Sequence, residues 1–379
     1  MITMTAHTTL PSLPRPQSQR GLSLIELMIS LTIGLVLLLG ITSLIVQQSS
    51  SRDELEKSSR QIENGRYAMQ ILHDDIQHAG FYGQYYSLPT PPATAPDPCL
   101  VTPITGAASI ETGMSLPVQG YDFSLTATAA SPISCLNTAN IKPGTDILVI
   151  RRADSKPIAA PFSSANLLPG LVYLQTTTSS HVLDQGSNLA SFVLRNSTTS
   201  NSGVANAFRY LVHIYFVSPC NTMANGTTCA ATDDNGNPIP TLKLLELGAT
   251  GNAPSINLIP LVEGIENMQL DYGIDTNGDG YPDNNYTTVP ATTTDWTNVM
   301  SIRVNLLARN NDPTSTYSDG KTYNMGLAGT IGPFNVSPPY TLSPACGGTA
   351  SYPQLCNYKR HLYTELIRAN NPSGRRAQQ

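Results

Sequence analysis

The sequence is short of charge. Of its 379 residues only 12% are Asp, Glu, Lys or Arg, about half the 25% or so of an average globular chain. Positive charge is the scarcer sign: 21 Lys and Arg against 26 Asp and Glu leave a net charge of −5. That balance argues against nucleic acid as a partner, since phosphate recognition needs a basic patch. No CxxC pair occurs and the six histidines are scattered, which speaks against a zinc site. HExxH, GxSxG and the phosphate-binding loop are absent, and the loose series Gly326, Gly329, Gly332 lacks the Lys-Ser/Thr that such a loop requires. No catalytic constellation stands out, so the chain is read as a non-enzyme. There is no internal repeat. Apolar residues make up 40%, enough for a core and too many for global disorder. Ser, Thr, Asn, Gly and Pro fill the places charges usually take, as in a β-rich domain with many turns.

The few charges are unevenly placed. Ten fall between Arg52 and Asp75, whereas Leu27 to Val46 is a run of twenty residues with none. As a helix that run spans about 30 Å, the thickness of a bilayer's hydrocarbon core. A buried core helix is the bland alternative; the length and apolarity of the run favour the membrane. A cleaved secretory signal would have a shorter apolar region followed by a small-residue cleavage site, and here the run leads straight into a helical pattern. Glu26 stands just inside the apolar stretch. A carboxylate there is costly unless paired and is a functional candidate by default, snorkelling to the surface being the structural alternative. Positive charge on the two sides of the run does not settle orientation.

Residues Arg20-Gly21-Leu22-Ser23-Leu24-Ile25-Glu26 resemble the cleavage motif of type IV prepilins. The resemblance implies a basic, polar leader (1–21) removed between Gly21 and Leu22, methylation of the new terminal amine, and Glu26 as the fifth residue of the mature chain. Leu22 stands where the family usually has Phe, and the leader is longer than many. It further implies prepilin peptidase as processing enzyme, an inner-membrane location with the C-terminal part in the periplasm, and assembly with other minor and major pilins through the N-terminal helix.

Beyond the membrane run, the helical pattern continues to Ala79. Leu55, Ile62, Met69, Leu72 and Ile76 recur at spacings that put them on one predicted face. Asp53 with Lys57 and Glu56 with Arg60 are acid-then-base pairs four apart, and Gly80 is a stop signal. The helix from Leu22 to Ala79 would be about 87 Å long. It divides into a transmembrane or filament-core part (22–50) and an amphipathic part (51–80). Gly34 and Gly40 weaken the first by about 1 kcal/mol each relative to Ala. His73 and His78 are off metal-ligand register and are read as solvated. The stretch Glu63-Asn64-Gly65-Arg66-Tyr67-Ala68, followed by Leu72, Asp75 and Ala79-Gly80-Phe81, is similar to minor pilins of the PilW family. Leu261–Met268 and Val299–Val304 share that likeness.

For residues 81–379, a Pro-rich connection (Pro89, Pro91, Pro92, Pro96, Pro98) precedes strand candidates at Asp146–Arg152, Phe208–Val217, Leu242–Leu247, Glu266–Tyr272 and Val299–Ala308. The expected fold class is α+β and pilin-like: a long helix packed on a mainly antiparallel sheet. Six cysteines, Cys99, Cys135, Cys220, Cys229, Cys346 and Cys356, all follow the membrane run, which suggests disulfides in an oxidising compartment. Nearest-neighbour pairing gives Cys99–Cys135, Cys220–Cys229 and Cys346–Cys356.

Asp275, Asn277, Asp279 and Asp283, with the Tyr281 carbonyl and Gly280, match the spacing of a calcium loop. Position 12 is Tyr286 rather than the bidentate Glu, and no helix pair flanks it. The alternative is a polar turn, for which Asn-Gly and Asp-Gly are strong formers. Asp233–Asn237 is a thinner version, read as a turn. The functional expectation is a minor pilin active in initiating and assembling a type IV pilus. A minor pseudopilin of a type II secretion system and a membrane-tethered adhesin are the alternatives.

Overall fold

The computed structural model describes residues 23–106, 108–123, 130–196, 203–283, 286–314, 317–332 and 355–376. The chain divides into two compact units, 1–55 and 56–379. In the first, helix α1 (Leu24–His78) begins with a stretch long and apolar enough to cross a membrane, and none of that window is buried. Leu35, Leu37, Leu38 and Leu39 are each at least 60% exposed. Three hydroxyls in the stretch bond within the helix: Ser30 and Thr32 donate to carbonyls three residues back and Thr42 to one four back. Bonds of this kind spare a lipid-facing helix the cost of a bare hydroxyl.

The second unit starts with the rest of α1 and contains two antiparallel sheets. The larger is built from β1 (Val118–Asp122), β2 (Asp146–Ala153), β3 (Val172–Thr176), β4 (His181–Gln185), β5 (Ala207–Ser218), β6 (Thr241–Thr250) and β7 (Ala253–Glu263). Its order is β1-β2-β5-β3-β4, with β6 paired to β5 and β7 to β6. A short turn of helix, α2 (Asp233–Gly236), precedes β6. The smaller sheet has the order β13-β10-β8-β9, from β8 (Ile265–Ile274), β9 (Tyr286–Thr287), β10 (Val299–Arg309) and β13 (Arg360–Arg368). Helix α3 (Thr293–Thr297) leads into β10 behind a capping box at Thr292 and Asp295. A small hairpin, β11 (Tyr323–Asn324) and β12 (Thr330–Ile331), and helix α4 (Asn370–Arg376) complete the described elements.

Alternation within single strands divides the core. Leu148 and Ile150 of β2, Tyr215 and Val217 of β5, and Leu242 and Leu244 of β6 join the helix residues Ala68, Met69, Leu72 and Ile76 and the inner face of the smaller sheet. The intervening Ile147, Val149, Ile214, Phe216 and Leu245 point the other way, into a second cluster with Tyr82, Met114 and Phe123. The central strands are thus covered on both faces, which is why they read as unbroken apolar runs.

Two expectations change. The helix face is not the seven-residue series, because Leu55 is 70% and Ile62 46% exposed. The buried stripe is Gln61, Gly65, Ala68, Met69, Leu72, Asp75 and Ile76. A straight helix drifts about 20° per heptad from a seven-residue repeat, and the stripe that stays on the sheet follows spacings of four and three, polar residues included. β7 goes unpredicted because Pro254 and Pro260 interrupt it; prolines are tolerated at a sheet edge, and β7 pairs only with β6. The five strand candidates coincide with β2, β5, β6, β8 and β10 to within three residues.

Candidate functional site

At the start of the first unit, Gly21 and Leu22 lie outside the described residues. Ser23 precedes the helix, and its amide N–H donates to the Glu26 carboxylate at 3.1 Å. Glu26 is the third helical residue, so this is the reach-back half of a capping box. The carboxylate also sits at the positive end of the helix dipole. It is an acceptor placed one helical turn from the chain segment that carries the expected cleavage site.

In the second unit, the stretch from Glu63 to Phe81 forms the helix's docking face. Asn64 donates to the Glu263 carbonyl at 3.1 Å. Gly65 lies under the Tyr363 ring, where a Cβ would come within 2.1 Å of a ring carbon, and the Tyr363 hydroxyl donates to the Ile62 carbonyl. Ala68 and Leu72 are fully buried. Gly80 ends the helix at φ +70°, its N–H donating to the Arg151 carbonyl at 2.8 Å. Asn64, Gly65, Ala68, Leu72 and Gly80 each meet a separate packing or hydrogen-bonding demand, whereas Glu63, Arg66 and Tyr67 are exposed.

Asp75 is the charged member of that face and is 5% exposed. Its Oδ1 accepts from Arg152 at 2.6 Å. Its Oδ2 accepts from Tyr215 at 2.9 Å and faces His213 Nδ1 at 2.8 Å. Burial alone would raise the Asp75 pKa, but the charges and hydrogen bonds of His213 and Arg152 outweigh it and hold the carboxyl at about 2. Burial would likewise lower His213, and Asp75 instead raises it to about 9. The imidazole is therefore a cation at neutral pH. Its other nitrogen lies 3.9 Å from Glu246, which pairs with Arg209 at 2.7 Å. The sequence signals for this network are Asp75 within the PilW-like stretch and the polar residues set in apolar strand runs at Arg152 and His213.

Leu261–Met268 is the turn from β7 to β8. Gly264, at φ +78°, comes so close to the Arg309 carbonyl that a Cβ would lie 2.7 Å from its oxygen. Glu263 accepts from Asn221 and Asn311. Glu266 is held by the buried Arg360, which also reaches Asp319 at 3.0 Å. In Val299–Val304, Arg303 lies over the Tyr286 ring and 3.4 Å from Asp271.

Cys99 pairs with Cys135 and Cys220 with Cys229. The third expected pair lies outside the described residues at Cys346. The one trio of metal-ligating side chains brought together among the described residues is Cys220, Cys229 and Asp233, and its two sulfurs are already bonded to each other. Asp233 and Asp234 instead accept backbone N–H groups around the Cys220–Cys229 loop. His73 is not simply solvated: its Nδ1 is 2.8 Å from Glu365. His78 Nδ1 is 2.6 Å from the Asp74 carbonyl.

In the loop Asp275–Asp283, buried Asp275 accepts from the N–H of Gly278 and Gly280 at 2.6 and 3.0 Å. Asn277 accepts from the Asp279 N–H, and Asp279 from the Tyr281 N–H. Asp283 accepts from Thr276. The Arg368 guanidinium stands 4.8 Å from the Tyr281 ring. As folded, the loop is a turn whose side-chain oxygens are engaged by its own amides. A cation would compete with those bonds, with Asn277 and Asp279 turned inward.

An exposed apolar helix with a carboxylate in its first turn, continued by a segment docked on an antiparallel domain, is the arrangement that the prepilin-like motif leads one to expect. Residues 16–42 match the Prokaryotic N-terminal methylation motif, and residues 227–371, covering β6 through β13, match Type IV Pilus-assembly protein W. These findings support a PilW-like type IV pilin, a minor pilin of the type IV pilus. They point to a structural protein rather than an enzyme, anchored in a membrane and incorporated into a pilus. No curated protein and no solved structure matches the chain.

Proposed function

We propose that this minor pilin takes part in initiating the pilus at the inner membrane, with residues 81–379 in the periplasm. The leader is removed between Gly21 and Leu22 by prepilin peptidase. The exposed apolar helix then leaves lipid for the company of other minor and major pilins. Glu26 accepts a charge-assisted hydrogen bond from the terminal amine of Leu22 on a neighbouring subunit. An unpaired carboxylate in apolar surroundings is costly, so the pairing sets register as well as affinity. What supports this reading is the overlap of the methylation motif with a membrane-length helix that buries none of its apolar surface in its own fold.

The test is Glu26→Ala in the full chain. Processing should persist, with the mature protein beginning at Leu22 on N-terminal sequencing, while incorporation into pili is lost. Normal incorporation of the variant would overturn the mechanism.

The loop Asp275–Asp283 carries a separate proposal. It takes Ca²⁺ weakly through Asp275, Asn277, Asp279, Asp283 and the Tyr281 carbonyl, in the range typical of extracellular modules. Calorimetry at millimolar calcium tests it; no heat and no thermal upshift would leave the turn as its whole role.

A further inference from the structure

The second core cluster contains one residue that breaks its chemistry. On β6, Leu245 and Leu247 point into that cluster, and Lys243 shares their face by the two-residue period of a strand. Lys243 is 2% exposed. No hydrogen bond or ion pair reaches its Nζ among the described residues. The cross-strand partner on β7 is Pro260, which has no N–H. Asp233 and Asp234 act on the lysine at a distance, but both carboxylates are held by backbone amides of their own loop. Burial lowers the Lys243 pKa, and the two aspartates only partly oppose it.

Lys243 opens into a pocket of about 240 Å³ whose walls include Leu136, Phe216, Leu245, Ile256 and Leu258. Two cross-strand pairs build the floor, Phe216 with Lys243 and Leu245 with Leu258. Both described disulfides hold the rim. Cys135 belongs to one, and Met223 and Thr227 lie inside the ring closed by the other. Leu258 is 40% exposed and marks the mouth. The pocket is therefore bounded by both disulfides and mixed in its lining, with Asn140, Ser218 and Thr227 beside the apolar residues, and Lys243 is the one charged side chain on its wall.

We propose that this pocket binds a small monocarboxylate with an apolar tail, the carboxylate on Lys243 and the tail against Phe216, Leu245 and Leu258. At about 30 Å³ for each water-sized unit, there is room for roughly eight heavy atoms. The apolar part of the wall suits the tail, and Lys243, the one charged side chain among the lining residues, suits a single carboxylate. The site is independent of the assembly role assigned to Glu26.

The test uses the mature full-length protein in lipid nanodiscs, titrated with hexanoate and, as a neutral control of the same length, hexan-1-ol. Hexanoate should bind saturably at one site, and hexan-1-ol at least tenfold more weakly. Lys243→Met should weaken hexanoate at least tenfold while leaving hexan-1-ol unchanged. Leu258→Trp, which fills the mouth and keeps the lysine, should abolish binding of both, so the outcome does not hang on one variant's folding. Absence of saturable hexanoate binding, equal binding of acid and alcohol, or binding undiminished in both variants would overturn the proposal.

Discussion

One helix has two halves that solve opposite problems. Between Leu24 and Val46 it exposes every large apolar side chain, and the tightest apolar window buries nothing. Between Gln61 and Ile76 it buries a mixed stripe that includes Gln61, Gly65 and Asp75. The first half is apolar all round and selects its surroundings only by being greasy. The second half is less apolar yet far more specific, because its polar members Gln61 and Asp75 each meet defined partners in the domain. Apolarity thus measures how strongly a helix must leave water, and not how precisely it is seated.

Substitutions can break this contrast. The largest effect is expected at Asp75. Asp75→Asn leaves Arg152 and His213 without their buried counter-charge and should cost about 3–5 kcal/mol of unfolding free energy. Chemical denaturation read by the fluorescence of Trp296, which is the one tryptophan and is 6% exposed, would measure it. A cost below about 1 kcal/mol would mean that the pair fixes geometry without adding stability. Next is the same truncation in both halves: Leu72→Ala should cost about 2–5 kcal/mol, while Leu37→Ala should stay within about 0.5 kcal/mol by the same probe.

The pH dependence sharpens the role of Asp75. Its pKa is lowered from 3.8 to about 2, so the stability it contributes is complete above pH 3.8 and is lost as pH falls through 2. By linkage this is about 2 kcal/mol. His213, raised from 6.5 to about 9, reports largely the same contact from the other side, lost as pH rises through 9. Asp146 runs against Asp75: burial raises it from 3.8 to about 8, so its contribution is present below 3.8 and disappears as pH rises through 8. Asp146→Asn should therefore flatten the decline of stability between those two values in a pH series of denaturation midpoints.

The three helix glycines give the most discriminating set. Gly65→Ala should cost about 1–3 kcal/mol, because a Cβ collides with Tyr363. Gly34→Ala and Gly40→Ala meet nothing within 4 Å and should raise helicity by about 1 kcal/mol each, with the Trp296 transition unmoved. Three glycines in one helix are then separated by circular dichroism and fluorescence.

Much of this was legible in order along the chain. The apolar run, the Gly80 stop and five strands were readable because each is a local pattern of hydrophobicity or turn chemistry. The Cys99–Cys135 and Cys220–Cys229 pairs follow from choosing neighbours. The helix face was misjudged at Leu55 and Ile62, since periodicity says which residues share a face and not how far the sheet beneath extends. β7 was hidden by its prolines, and β1, β3, β4 and β13 were among the strands not picked out at all. Within the candidate site, the position of Glu26 could be read from the motif, but Asp75, His213 and Lys243 could not be placed.

The sequence by itself determined that this protein carries a membrane-length helix, a prepilin-like N-terminus and a turn-rich antiparallel domain, because those properties follow from neighbours within a few residues. Only the tertiary structure decided that Asp75 meets Arg152 and His213, 77 and 138 residues away, and that Lys243 lines a pocket with Phe216, Leu245 and Leu258. Electrostatic partnership in a low-dielectric interior depends on distance in space, and the register of the strands sets that distance.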